Sequence, residues 1–230
     1  MHTGPMAERA NHSGGESLAH QRGDRQRSAQ DRARQTVRRV IDATVDLVVA
    51  EGEAAVTIGR VGRATGLSRG AIYHHFDDRD ALVRAAQFDR LARQPLGDIE
   101  ALRAAIRATN TREEFAAVIG LMALTICDRA RHAVRTVRAS VMAASAAHPD
   151  LEQALRRLET SVADDLVDVI REGQQRGLVT NSVDAVAIGA LIEAVSFGLL
   201  IVDFIDHPPD PASLATAVTN AFLSFLPEFP

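Results

Sequence analysis

The segment from Thr57 to Phe76, TIGRVGRATGLSRGAIYHHF, constrains this chain more than any other stretch, because its spacing specifies two short helices and the turn between them. Ile58, Val61 and Ala64 recur at helical spacing behind Thr57, a residue suited to cap a helix N-terminus. Gly66 supplies the positive φ with which a chain leaves a helix. Leu67 is then an apolar plug and Ser68 caps again, while Ile72 and Phe76, four apart, mark the inward face of a second short helix. Arg69, Ala71, Tyr73 and His74 are left for other faces. This pattern fits a helix-turn-helix whose second helix enters a DNA major groove, and it also fits an ordinary pair of core helices.

Residue identities separate the two readings. From Thr36 to about Leu91 the chain resembles the N-terminal domain of the tetracycline-repressor (TetR) family of transcriptional regulators, most closely in GLSRGAIYHHFDDRDAL at Gly66 to Leu82. The match combines the Gly-Leu-Ser turn, Gly70, the Tyr73-His74-His75-Phe76 ending, and Arg79 followed by Asp-Ala-Leu. It covers roughly a quarter of the chain by motif and the remainder by length and helical layout alone.

The resemblance implies that Arg69, Gly70, Ala71 and Tyr73 approach base edges or the adjoining backbone, and that Thr57, His74 and Arg79 contact phosphates. The chemistry agrees independently. A small Gly70-Ala71 surface lets the helix sit deep, Arg69 can pair with guanine O6 and N7, and hydroxyls at helix starts bind phosphate. For Tyr73 and His74 the alternative is packing within the small domain; Phe76 is core. Gly59 and Gly62 depart from the family pattern. Each costs a helix roughly 1 kcal/mol relative to Ala, which argues against base contacts from the first helix of the pair and predicts that this helix is loosely held.

With 230 residues, 46% of them hydrophobic, the chain can bury a sizeable core in one large or two modest domains. The formal charge of −4 is unevenly spread: residues 1–95 hold 15 Arg against 12 acidic residues, and 96–230 hold 11 against 18. A basic N-terminal part suits a polyanionic partner. All 26 basic residues are Arg, the side chain that binds phosphate and guanine edges bidentately. The single Cys127 rules out an intramolecular disulfide framework and fits a reducing cytoplasm. The first 30 residues are polar and lack the apolar core of a signal peptide. The apolar run Ala185 to Ile205 contains Glu193 and Asp203, so it reads as a buried helix rather than a membrane span.

In chain order, residues 1–30 read as a disordered arm whose Arg9, Arg22, Arg25 and Arg27 could add phosphate contacts. Residues 31–94 form the DNA-binding domain. Its first helix runs from near Asp31 to Ala50, and its last is capped by Asp77 or Asp78 and broken by Pro95 and Gly97. Residues 95–230 carry only helical periodicity, in segments near Ile99–Ala108, Arg112–Asp128, Arg131–Ala147, Asp150–Arg176, Ser182–Asp206 and from Asp210-Pro211 onward. The expected fold is all-α: a three-helix N-terminal domain with the helix-turn-helix, followed by a larger helical regulatory and dimerisation domain.

The resemblance further implies a four-helix dimer bundle built from two late helices of each subunit, and a small-molecule cavity among the middle helices. For the bundle the sequence offers Leu155, Leu158, Val162 and Leu166 on one helix and Ile188, Leu191, Ile192 and Val195 on the other. Gly189, Ala190 and Ala194 permit close approach. Dimerisation is also what a helix-turn-helix needs to read a palindrome. For a mostly apolar effector site it offers Phe115, Ile119, Met122, Val137, Val141, Met142 and Phe197, with Arg138 or Glu193 as polar anchor. Met and Phe at helical spacing are more often plain core, and Arg138 is more often ion-paired than a ligand clamp.

A catalytic function has little to stand on. Asp128 and His132 lie four apart and His148 follows, but an i,i+4 surface pair accounts for the first two. No nucleophile elbow, phosphate-binding Gly loop, HExxH or Cys/His ligand set accompanies them, and no metal or cofactor is expected. The sequence therefore predicts a cytoplasmic, homodimeric regulator, a repressor by preference, whose partners are a double-stranded DNA operator and a small effector. A helical adaptor without DNA binding would leave the Ser68 to Arg79 pattern unexplained.

Overall fold

The computed structural model describes residues 13–93 and 95–226, and the side chains of these apart from 13–26, 29 and 95–98. Ten α-helices and two 3-10 turns, with no strand among the described residues, give the all-α fold the periodicity predicts: α1 (Ser13–Glu51), α2 (Ile58–Thr65), α3 (Arg69–Tyr73), α4 (Arg79–Arg93), α5 (Pro95–Ala108), α6 (Arg112–Cys127), α7 (His132–Ser145), α8 (Pro149–Gln175), α9 (Ala185–Val202) and α10 (Pro211–Leu223). The chain divides into two compact units, Met1–Val83 and Arg84–Pro230.

Two helix starts differ from expectation. α1 begins at Ser13, so residues 13–30, expected in a disordered arm, are helical; residues 1–12 of that arm lie outside the described residues. Its three Gln and three Arg favour a helix while its three Gly oppose one, and extending a nucleated helix costs far less than starting one. α5 begins at Pro95 rather than near Ile99, because Pro fits the first helical position, where no N–H is needed.

In the first unit α1 packs on α2, and α2 on α3. Of the seven largest fully buried side chains, Ile72, Leu82, Val40, Val56, Val61 and Thr44 lie here, which makes the small unit a tightly filled support for α3. Polar clamps finish its helix ends. Arg39 donates to the carbonyl of Thr65 at the end of α2, and Arg60 pairs with Glu51, whose carboxyl is held below the ordinary range by that hydrogen bond.

The second unit is centred on α8, which packs against α5, α7 and α9, while α6 lies along α10. Ile99, Ile106, Phe115, Ile119, Val162, Leu166, Val169, Ile170, Ile188 and Phe222 form its main core. α6 starts with a full capping box, Thr111 accepting from Glu114 N at 3.2 Å and Glu114 accepting from Thr111 N at 3.3 Å. α9 is apolar apart from Glu193 and Ser196, yet much of its surface stays open: Val186 is 51% exposed, Leu191 43% and Ile201 72%.

Candidate nucleic-acid interface and ligand cavity

The turn between α2 and α3 is built as its residues require. Thr57 Oγ1 accepts from Arg60 N at 3.2 Å and Ser68 Oγ accepts from Ala71 N at 3.2 Å, so both helices carry N-caps. Gly66, at φ 71°, closes α2 in the left-handed region. Gly62, a departure from the family pattern, is also explained: a Cβ there would lie 2.9 Å from the Leu67 carbonyl oxygen, so the tight turn excludes any larger residue.

Ile72 and Phe76 point inward. Arg69, Gly70, Tyr73 and His74 are all exposed, and their positions place them on one side of α3 and its last turn. Tyr73 is 53% exposed, so it does not serve as core. Ala71 is half-buried beside them. Among the described residues nothing hydrogen-bonds or ion-pairs with Arg69, and its guanidinium lies over α2, where Nη2 would be 3.3 Å from a Cβ on Gly59. The missing methyl at Gly59 therefore leaves room for Arg69. Thr57 is exposed but its hydroxyl serves as the α2 cap.

Arg79 stands apart from the other predicted DNA contacts. Its Nε donates to the Val56 carbonyl at 3.0 Å, its Nη2 to the Glu53 carbonyl, and its Nη1 to Asp80 at 2.6 Å. The first turn of α4 is thus tied to the segment before α2, a structural clamp that the charge in the sequence did not distinguish from a phosphate contact.

The second unit holds a half-open cavity of about 350 Å³. Its walls are mainly apolar, including Leu91, Leu102, Val118, Leu121, Met122, Ile126, Val134, Leu158, Val162, Leu166, Ile192 and Phe197. A polar cluster sits on one side. Arg138 Nε donates to Glu159 Oε1 at 3.1 Å, its Nη2 donates to Glu159 Oε2 and to Glu193 Oε2, the latter at 2.8 Å, and its guanidinium carbon lies 5.9 Å from the Phe197 ring centre. Burial alone would weaken the hold of Arg138 on its proton; Glu193 and Glu159 more than offset that.

Of the predicted ligand residues, Met122, Arg138 and Phe197 line this cavity, joined by the alternative anchor Glu193. Phe115 and Ile119 do not; with Met122 they border a separate apolar void of about 60 Å³. Val137 and Val141 pack with Leu91 and Leu155 in a small core of their own, and Met142 faces outward at 41% exposure. Helical periodicity finds an inward stripe without showing whether that stripe meets a void or another side chain. Sequence reasoning missed Arg131, Arg135, Glu159 and Ser196 on the cavity wall. Charged residues inside otherwise apolar stripes were the available signal.

The predicted dimer residues are mostly spent within one protomer. Leu155 and Ile188 are buried, Val162 and Leu166 are buried on the cavity wall, Leu158 and Ile192 line the cavity, and Val195 packs on the main core. Leu191 alone of the eight is an exposed large side chain. Because α9 is apolar apart from Glu193 and Ser196, its apolar residues gave no way to tell its inner face from its outer one.

Residues 40–86 match the family described as bacterial regulatory proteins, tetR family. Over 58 residues the chain is 34% identical to the HTH-type transcriptional regulator TtgW of Pseudomonas putida, covering 25% of this chain and 43% of that one. A 163-residue match, 27% identical, links it to an HTH-type transcriptional repressor of Mycobacterium tuberculosis, covering 71% and 79%. The chain spans less than half the length of TtgW and of SrpR, also of Pseudomonas putida. A TetR-family regulator from Mesorhizobium loti superposes with a TM-score of 0.61 at 16% identity, covering 84% of this chain and 97% of that one. FadR of Bacillus subtilis, in complex with stearoyl-CoA, does so with 0.52 at 18%, covering 82% and 98%. At these identities the structural likeness is one of fold. Residues 40–86, which carry the helix-turn-helix, are thus similar to bacterial regulatory proteins of the tetR family, and the all-helical fold over most of the chain is one that such regulators share.

Proposed function

We propose that the protein is a cytoplasmic transcriptional repressor that binds a palindromic operator as a homodimer and leaves it when a small molecule fills the cavity of its second unit. The observation that carries this reading is the exposed set Arg69, Gly70, Tyr73 and His74 on a short helix capped by Ser68, with no hydrogen-bond or ion-pair partner for Arg69 among the described residues. Arg69 and Tyr73 take the base-reading role with Gly70 and Ala71 permitting close approach, and His74 and Thr57 lie at the flanks.

The partner subunit is assigned to the open face of α9. Over an 18-residue window this helix has a mean hydropathy of 2.4, yet only 22% of that window is buried in the protomer. An apolar surface of this kind calls for a cover, and a second copy supplies one while giving the two-fold symmetry a palindrome requires. Val186, Ala190, Ala194, Gly198 and Ile201 recur at three- and four-residue spacing along it, with small residues that let two helices approach.

The cavity suits an effector because it is concave, chiefly apolar and carries few polar groups, and FadR, which shares the fold, holds stearoyl-CoA. Leu91 on its wall belongs to α4, whose first turn Arg79 ties to the segment before α2, so a ligand signal would pass along that helix. The coupling requires that the ligand favour the DNA-incompetent state. Selection from a pool of random duplexes tests the proposal: enrichment of a palindrome supports it, and recovery of no preferred sequence refutes it.

A further inference from the structure

We infer that the cavity takes a lipophilic monocation, an alkyl or aryl amine in its ammonium form. This builds on the reading of the cavity as the effector site and rests on its charge balance. Arg138 faces two carboxylates, Glu159 and Glu193, so the triad carries one surplus negative charge. Glu159 spends both oxygens on Arg138, whereas Glu193 accepts from it only through Oε2, and no donor among the described residues reaches Glu193 Oε1.

The other cavity-lining cations do not reverse this balance. Arg135 is neutralised by Asp203, with which it forms a two-pronged pair, and the ion pairs of Glu159 and Glu193 are made with Arg138, not with Arg131. A carboxylate ligand would bring a third anion beside Glu159 and Glu193, with only Nη1 of Arg138 left to receive it. Beside apolar walls, with the three side chains only 22–29% exposed, that repulsion is less screened than in water. An ammonium head at Glu193 completes two opposite pairs instead. The neighbouring Phe197 ring offers its face to a cation, and the apolar remainder of the cavity accepts a hydrocarbon body.

The test is calorimetric titration of the full-length protein, without DNA, with three probes that share one tail: decylammonium, decanol and decanoate, all kept below micelle formation. The ammonium should bind at least about tenfold more tightly than either of the others. Glu193→Gln should lower its affinity about tenfold while leaving decanol within about twofold, and Phe197→Leu should weaken the ammonium with Glu193 intact. Decanoate or decanol binding as tightly as the ammonium overturns the inference, and this comparison needs no variant to fold. Unchanged ammonium affinity in a folded Glu193→Gln protein overturns it as well. Selective ammonium binding that leaves operator affinity untouched upholds the ligand class and refutes the effector role instead.

Discussion

Arg135 and Asp203, 68 residues apart, form a two-pronged ion pair: Arg135 Nε donates to Oδ2 at 2.6 Å and Nη2 to Oδ1 at 2.8 Å. The same guanidinium donates from Nη1 to the Ile126 carbonyl at 3.0 Å, and His132 Nδ1 lies 3.2 Å from Asp203 Oδ2. One arginine thereby ties the last turn of α6 to α7 and to the residue that follows α9. Both side chains are about nine-tenths buried, which makes the pair structural even though Arg135 touches the cavity.

Removing the carboxylate strands a buried cation. Asp203→Ala should therefore destabilise the second unit by about 3 kcal/mol, read as a lowered denaturant midpoint. Hydrogen bonding from Arg135, with His132 assisting, holds the Asp203 carboxyl below its ordinary 3.8. Its stabilising contribution is present above that value and disappears as pH falls through the lowered one. Acid titration of stability should show a loss below the ordinary carboxylate range that is smaller in Asp203→Ala.

The two glycines of α2 should respond in opposite directions. Gly62→Ala forces a methyl against a backbone carbonyl and should cost about 1–3 kcal/mol. Gly59→Ala meets only the movable ends of Arg69 and Arg63 and gains helix propensity, raising stability by up to about 1 kcal/mol. Thermal melts of both variants check this; equal losses would mean that Gly59 is held as tightly as Gly62.

A charge placed on the open face of α9 should dissociate the dimer without unfolding the protomer. Ala190→Arg sits at an exposed position. Sedimentation equilibrium should show the wild type as a dimer and this variant as a folded monomer. A variant that remains dimeric places the interface elsewhere.

The fold was largely legible because its signals are local. Thr57, Gly66 and Ser68 each set one helix boundary through their own backbone chemistry, and all three perform that role. Partner choice was not legible. Arg79 and Arg69 are both arginines beside short helices, yet one is held by two carbonyls 23 and 26 residues away and the other has no hydrogen-bond or ion-pair partner among the described residues. The same holds for Leu158, Val162, Leu166 and Ile192, whose spacing marks an apolar stripe while only tertiary packing decides that it faces a cavity. Arg138 and Glu193 were recognisable singly as charges among apolar residues; their pairing, and that of Arg138 with Glu159 across 21 residues, belongs to the folded chain.

The most direct test of the central claim is a fluorescence-anisotropy titration of the selected palindromic duplex, against a scrambled duplex at the same salt, with wild type, Arg69→Ala and Tyr73→Ala. Wild type should prefer the palindrome by about a thousandfold or more. Each variant should lose about tenfold or more on the palindrome and little on the scrambled duplex, with its melting temperature unchanged. Folded variants that bind the palindrome as tightly as wild type would contradict the assignment of α3 as the reading helix.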